Sequence, residues 1–411
     1  MIRPIHDLRF APPPTPPAIR RREALRRLGI VAASGVLGGC ASGGGTRLDS
    51  GLDAEPPEWT RNWSSVNVAR DRVTRTIVGL RPYRSSGFVV RTDVLDGKPI
   101  IHNYGHGGGG ITLSWGTAHL AMEEAVQTEH REAAVIGCGA VGLATARLLQ
   151  RNGFRVRIYA RDLPPQTTSN IAAGQWSPFS VFSSGEVTDA FMTQFRRASR
   201  LAYRHYQDLV SPEYGVSWIE NFSMSSSPIH PGALELEIPE VFPGIRDLQP
   251  HEHPFPAPYV RGVTTMLVET SAYLRAMERD VRLAGAEIVL REFTDPTELI
   301  ALPEPVVVNC TGLGARDLFG DEDLVPVRGQ LEILLPQHEV DYILLPGAGL
   351  YMMPRSDGIV LGGSFDNGNW SLDPDPAITR RIVDGHMRLF GQIADNIARH
   401  HAASSSAYGD M

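Results

Sequence analysis

Two glycine-rich segments carry the first legible chemistry. The apolar run Ala133-Ala134-Val135-Ile136 enters Gly137-Cys138-Gly139-Ala140-Val141-Gly142. This is the spacing of a dinucleotide-binding turn. Gly137 allows the tight turn, Gly139 lets the backbone approach a pyrophosphate, and Gly142 lets a helix over about 140–152 pack on the strand. The N–H groups of Ala140 and Val141 then open a helix N-terminus that favours phosphate oxygens. A second strand follows at 155–160. About twenty residues after the turn, the pair Arg161-Asp162 places an acid where an adenosine ribose is held. Strand, helix, strand and acid together point to dinucleotide binding, but the turn alone does not separate NAD from FAD. The other segment, 102–112, lies upstream and holds Gly105, Gly107, Gly108, Gly109 and Gly110 before Ile111 and Thr112. Flanked by a strand and a helix, it is a backbone device for a flat or phosphorylated cofactor.

The elements that must position these segments follow from hydrophobic spacing. Short strands are expected at 76–82, 88–91 and 100–103, and a helix from Ile111 to about 128. A helix over 188–210 has Phe191, Phe195, Ala198, Ala202 and Tyr206 at helical offsets. Residues 215–265, rich in Pro, Ser and aromatics, read as strands with long loops. A helix at 271–284 precedes a strand at 286–290, and another apolar strand enters a turn at 305–312. Strands at 326–334, 341–345, 350–354 and 358–364 are separated by Gly- and Pro-containing turns. A helix at 376–392 ends the ordered part, with Ser404-Ser405-Ser406 in a tail.

With 411 residues the chain has room for two domains with large cores. Apolar content of 42% and charged content of 21% are ordinary for a globular protein. A net charge of -7 argues against a nucleic-acid surface. The three cysteines, Cys40, Cys138 and Cys310, do not make a disulfide scaffold. No metal-ligand spacing appears among the 13 histidines, and His251 and His253 sit in a proline-flanked loop.

Residues 1–45 read as an address. Arg21-Arg22 resembles a twin-arginine export signal, which serves proteins that fold and load a cofactor before export. The apolar stretch 28–37 is too short to span a bilayer permanently. It ends in Leu37-Gly38-Gly39-Cys40, which resembles a lipoprotein box with Cys40 as the lipid anchor. Gly43-Gly44-Gly45 looks like a tether. The expected location is the bacterial periplasm, or a membrane surface through Cys40.

Taken together, the motifs resemble the D-amino-acid oxidase family of FAD enzymes over about 70–392. They are the turn at 137–142, Ala160-Arg161-Asp162-Leu163-Pro164, and Thr167-Thr168-Ser169 leading to Ala172-Ala173-Gly174-Gln175-Trp176. Next come Val308-Asn309-Cys310-Thr311-Gly312, Pro326-Val327-Arg328-Gly329-Gln330, Tyr351-Met352-Met353-Pro354-Arg355 and Leu361-Gly362-Gly363 with Asn369-Trp370. Gly79-Leu80-Arg81-Pro82 and the 102–112 loop complete the set. In the family these last two close the chain, whereas here they open it. The order is that of a circular permutation, with 118–131 bridging the old ends.

The resemblance implies a mixed α/β (α+β) fold, with a Rossmann-type FAD-binding domain and a mostly antiparallel substrate domain. The FAD-binding domain would take 71–190, made of the permuted segment 71–128 and the βαβ unit 132–162. It would be rejoined at 301–325 and 356–392. The substrate domain would take 191–300 and 326–355. Residues 46–70 would be a flexible lead-in and 393–411 a tail.

The resemblance also implies roles for individual residues. Arg81 would grip the carboxylate of an amino-acid substrate with two parallel hydrogen bonds. The Tyr351 hydroxyl would reach the same carboxylate, and the Gly108 carbonyl would accept a bond from the substrate amine. FAD would be held by Gly137, Gly139, Ala140, Val141, Gly142, Arg161, Asp162, Thr167, Thr168, Gly174 and Gln175. Gly107, Gly108, Gly110, Ile111 and Thr112 would line the flavin edge, with the positive end of the following helix favouring negative charge there. Position 347 is glycine where several relatives carry a second active-site tyrosine, leaving substrate range and lid behaviour open. Gly109 replaces a larger residue, which implies a looser loop. The expected reaction is oxidative deamination of a D-amino acid, neutral side chains slightly favoured, with oxygen as acceptor. Transfer to a quinone or carrier, or a flavin-loaded binding protein without turnover, are the alternatives.

Overall fold

The computed structural model describes residue 59 and residues 61–409, with side chains through 403. The leader, Cys40 and the rest of the lead-in up to 58 lie outside the described residues. In chain order the strands are β1 (Val73–Arg84), β2 (Val89–Leu95), β3 (Lys98–Tyr104), β4 (Glu132–Ile136), β5 (Arg155–Ala160), β6 (Val216–Ser225), β7 (Arg246–Leu248) and β8 (Tyr259–Val268). They continue as β9 (Glu287–Leu290), β10 (Val306–Asn309), β11 (Leu324–Leu334), β12 (Tyr342–Gly347), β13 (Leu350–Arg355), β14 (Gly358–Gly362) and β15 (Asp366–Asn367). The helices are α1 (Gly110–Val126), α2 (Ala140–Arg151), α3 (Thr168–Ile171), α4 (Asp189–Asp208), α5 (Ala233–Glu237), α6 (Thr270–Leu283), α7 (Thr297–Ile300), α8 (Gly314–Phe319) and α9 (Pro376–Gly409).

Two sheets organise these elements. The six-stranded sheet has the order β2-β3-β10-β4-β5-β9. Every pair from β3 to β9 is parallel, and β2 closes one edge antiparallel. Parallel strands buried on both faces need apolar side chains on both, and Val306, Val307 and Val308 are fully buried. Ile101, Ala133, Val135, Val156, Ile158 and Val308 share one cluster with α1, α2 and α6. Ile100, Ala134, Ile136 and Val307 face Leu299, Leu302 and Leu318 on the other side.

The nine-stranded sheet has the order β1-β11-β14-β13-β12-β6-β8-β7, with β15 on β11. It is antiparallel except where β12 pairs with β6. This is the mixed α/β architecture expected from the sequence.

Several boundaries differ from those expected. β1 forms the edge of the nine-stranded sheet, not part of the dinucleotide sheet, and β14 belongs there too. β9, placed by sequence in the substrate domain, pairs with β5 in the six-stranded sheet. The described part of the lead-in is docked: Trp63 is 6% exposed and makes edge contacts with Phe222, Phe255 and Tyr342. The last helix does not stop at 392. Ile382, Phe390 and Ile393 are buried in one cluster with Ile397 packed on it, so the apolar stripe continues. Trp59 stacks on His400 at 3.8 Å. The Asp375 side chain accepts the Ala377 N–H at 2.7 Å at the start of α9, capping a helix that opens with proline.

Candidate active site

β1 and β11 run antiparallel in register, with Gly79 opposite Gly329 and Arg81 opposite Val327. The Arg81 guanidinium lies across Gly329. A Cβ added there would stand 2.5 Å from Nη1 and 2.6 Å from Nη2. Tyr351 is paired with Gly362 across β13 and β14, and its ring covers that glycine, with Cζ 2.0 Å from where a Cβ would be. Two glycines on neighbouring strands thus form the floor on which both side chains lie. Arg81 Nη2 stands 3.4 Å from the Tyr351 hydroxyl. The Phe365 ring lies 4.8 Å from the guanidinium carbon.

Arg81 Nη1 is buried and has no hydrogen-bond partner among the described residues. The more deeply buried arginines are ion-paired: Arg328 with Asp366, Arg355 with Asp357, Arg261 with Asp247 and Glu235, whereas half-buried Arg81 has no carboxylate partner among the described residues. A desolvated, unpaired guanidinium is costly unless an anion completes it. Burial pushes the Tyr351 phenol above its usual range, with Arg81 beside it acting the other way. The hydroxyl therefore stays protonated at neutral pH and remains a donor.

The glycine turn stands beside this pair. β3 leads through a 3-10 turn, Gly107–Gly109, into α1. Gly108 lies next to Arg81, since a Cβ on it would be 3.9 Å from Arg81 Cδ. The Gly108 N–H donates to the Ser180 carbonyl at 2.8 Å, and the Gly109 N–H to the His106 carbonyl at 2.9 Å. Gly110 and Ile111 open α1. The Ile111 carbonyl accepts the Tyr206 hydroxyl at 2.8 Å, and the Thr112 hydroxyl accepts the Ser177 N–H at 3.0 Å. His106 is buried against Phe88 with Nε2 2.8 Å from the Thr117 hydroxyl. Burial pushes its pKa down to about 3, so the ring is neutral at neutral pH. The turn is not looser for having Gly109. Val181 Cγ2 stands 2.6 Å from where a Cβ would project and fills the space.

The dinucleotide turn has the expected build. Gly137 has φ +118°, and a Cβ there would lie 2.4 Å from the Cys310 carbonyl oxygen. A Cβ on Gly142 would lie 2.0 Å from the Gly137 carbonyl oxygen, so strand and helix meet through bare backbone. Gly139 caps α2, followed by Ala140 and Val141. The Ala140 N–H donates to the Ser169 hydroxyl at 3.0 Å. Arg161 Nε donates to Asp162 at 2.9 Å, both exposed just beyond β5. Thr167 caps α3, which begins at Thr168. The Gly174 carbonyl accepts the Val268 N–H at 2.7 Å, and Gln175 bridges Leu267. That segment therefore joins the α3 region to β8.

The structure thus brings Arg81, Tyr351 and Gly108 together, and separately Gly137, Gly139, Gly142 and the α3 loop. Sequence reading assigned no role to Gly329, Gly362, Phe365, Ser169, Ser180 or Val181. Ser169, Gly329 and Gly362 lay inside quoted motifs. Nothing local marked Ser180 or Val181.

A dinucleotide turn on a parallel sheet, joined to an antiparallel sheet, is the arrangement of a cofactor-dependent oxidoreductase. The family model described as FAD dependent oxidoreductase matches residues 132–410. The D-amino-acid oxidase of Rubrobacter xylanophilus is 33% identical over 260 residues, covering 61% of this chain and 74% of that protein. The D-aspartate oxidase of Homo sapiens is 32% identical over 261 residues, covering 61% and 73%. The glycine oxidase from Geobacillus kaustophilus has a TM-score of 0.48 at 16% identity, covering 65% of this chain and 80% of that one. The chain belongs to the FAD dependent oxidoreductase family, and its cofactor is FAD. The residues fit that group: Gly137 and Gly139 leave the backbone bare in front of the α2 N-terminus, where a pyrophosphate is held.

Proposed function

We propose that the protein oxidises D-amino acids to imino acids, which hydrolyse to 2-oxo acids and ammonia, with oxygen reduced to peroxide. The unpartnered Arg81 Nη1, beside Tyr351 and Gly108, carries this reading. Arg81 donates two hydrogen bonds to the substrate carboxylate and Tyr351 donates a third. The Gly108 carbonyl accepts from the amine, which arrives neutral. These contacts fix the Cα geometry, so the residues work by orientation and need no side-chain base. FAD, when bound, supplies the acceptor for the α-hydrogen as hydride. A neutral side chain is favoured because Arg328 on β11 and Arg355 on β13, the strands that carry Gly329 and Tyr351, are already paired. Tyr351 also packs with Ile219 and Leu345 around an apolar cluster.

The test is anaerobic bleaching of the ~450 nm flavin band by D-alanine, D-aspartate, their L-forms and glycine. Bleaching by neutral D-forms alone supports the reading. Bleaching by L-forms, or by none, overturns it. Turnover under oxygen, compared with an artificial acceptor under argon, decides the acceptor.

The chain order is read as a circular permutation. The family match begins at 132, at the first residue of β4. Residues 73–104 nevertheless supply β1 to one sheet and β2 and β3 to the other. Of the expected bridge 118–131, residues 118–126 belong to α1 and only 127–131 form the connection, which is mostly exposed and suits a join on the surface. A chain reopened within 127–131, with a short linker from α9 to Trp59, should fold and bind FAD. Failure of that variant to take up FAD would count against the permutation. Arg21-Arg22 and Cys40 are read as export signal and lipid anchor. Cys40→Ser should move the protein from the membrane fraction to the soluble one, and an unchanged distribution would refute the anchor.

A further inference from the structure

Residues 177–183 cross the glycine turn as a strap. The Ser177 N–H donates to the Thr112 hydroxyl at 3.0 Å, and the Ser183 N–H to the Ser85 carbonyl at 2.9 Å. The Ser183 and Tyr83 hydroxyls stand 2.7 Å apart. Between these fixings, Ser180 sits at φ +60°, a left-handed conformation that a side chain disfavours. Its carbonyl accepts the Gly108 N–H at 2.8 Å. Val181, 1% exposed, packs into a cluster with Phe88, Leu113 and Phe195. It also occupies the space beside Gly109, 2.6 Å from where a Cβ would stand.

These contacts act on two successive peptide groups. The 107–108 peptide is held by Ser180, and the 108–109 peptide by the Gly109 N–H bond to His106 at 2.9 Å. Peptide planes are rigid, so holding both fixes the direction of the Gly108 carbonyl. Val181 keeps the second plane from turning, because Gly109 has no side chain of its own to pack.

We propose that Val181 and the Ser180 carbonyl are positioning elements for the reaction. They lock the Gly108 peptide so that its carbonyl faces the amine of a substrate gripped by Arg81. Glycine at 109 and valine at 181 act as one unit, the strap supplying the bulk that the turn lacks. This rests on the site being that of an amino-acid oxidase.

The experiment is a double-mutant cycle on the FAD-loaded holoenzyme with Gly109→Ala, Val181→Ala and both together. Thermal midpoint, flavin band shape and kinetics with D-alanine and D-aspartate are measured for each. Gly109→Ala alone should lower the midpoint, because its Cβ meets Val181. In the Val181→Ala background the same change should cost little. Val181→Ala should lower kcat by on the order of tenfold to a hundredfold, with KM nearly unchanged because the Arg81 grip is intact. Val181→Ile keeps the β-branched shape beside Gly109 without burying a hydroxyl, and should keep kcat within about threefold. Additive effects in the cycle, or a Val181→Ala variant with a lower midpoint but unchanged kcat, would overturn the proposal. If neither amino acid is turned over by the unaltered enzyme, the oxidase reading fails. The strap is then judged by the cycle and the flavin band: non-additive midpoints with a changed band support it, and an unchanged band overturns it.

Discussion

Arg81 is the residue on which the chemistry turns, and its environment makes that testable. It has a glycine floor, an aromatic neighbour, a tyrosine at 3.4 Å and one unsatisfied nitrogen. Arg81→Ala removes two charge-assisted bonds of about 1.5–3 kcal/mol each, so kcat/KM should fall by about 10²- to 10⁴-fold. Arg81→Lys keeps the charge but loses the planar fork, and should recover only part of this. Tyr351→Phe removes one donor and should cost about tenfold to a hundredfold. The flavin spectrum should persist in all three, and an Arg81→Ala enzyme with unaltered kcat/KM would place the carboxylate elsewhere. At this scale residue identities were legible and their surroundings were not. Arg81 and Tyr351 lie 270 positions apart, and only strand pairing puts Gly329 and Gly362 beneath them.

Elements decide whether those residues have a cofactor to face. The turn between β4 and α2 works because nothing separates Gly142 from the Gly137 carbonyl. A methyl there would sit at 2.0 Å, so Gly142→Ala must push the helix off the strand. That variant should be purified largely free of FAD and with a lowered thermal midpoint, and full retention of FAD with normal stability would contradict this packing. This unit was readable almost to the residue, because strand, turn and helix are contiguous and each glycine answers a local steric demand. Sequence spacing ends the last helix at 392, because the charged and small residues beyond that point resemble a tail. The continuing stripe at Ile393 and Ile397 becomes meaningful only once the nine-stranded sheet and Trp59 are there to receive it.

The whole molecule carries a pH signature. Burial holds the pKa of His106 at about 3 in the folded chain, against an ordinary 6.5. His102, His205, His253 and His386 are also shifted down, chiefly by burial. Between the folded and unfolded values the unfolded chain binds more protons. Stability should therefore fall as pH drops below about 6.5, by up to about 1.4 kcal/mol per pH unit for each fully shifted histidine. Thermal midpoints from pH 8 to pH 4 should decline on the acid side, with His106→Asn showing a shallower decline. A flat profile would mean that these histidines are accessible to protons when folded.

The features legible in the chain alone are local: the dinucleotide turn, most helices and strands, the arginine and tyrosine that resemble substrate ligands, and an order of motifs read as permuted. Each follows from spacing along the chain, where sterics and periodicity act over a few residues. Long-range contacts set which sheet β1, β9 and β14 join, that Trp63 is core, and that Arg81 lies over Gly329 without a carboxylate partner among the described residues. It alone showed that Val181 stands where Gly109 has no side chain. Those facts depend on contacts between segments tens to hundreds of residues apart, whose closure is set by strand register and packing, not by any residue's own preference.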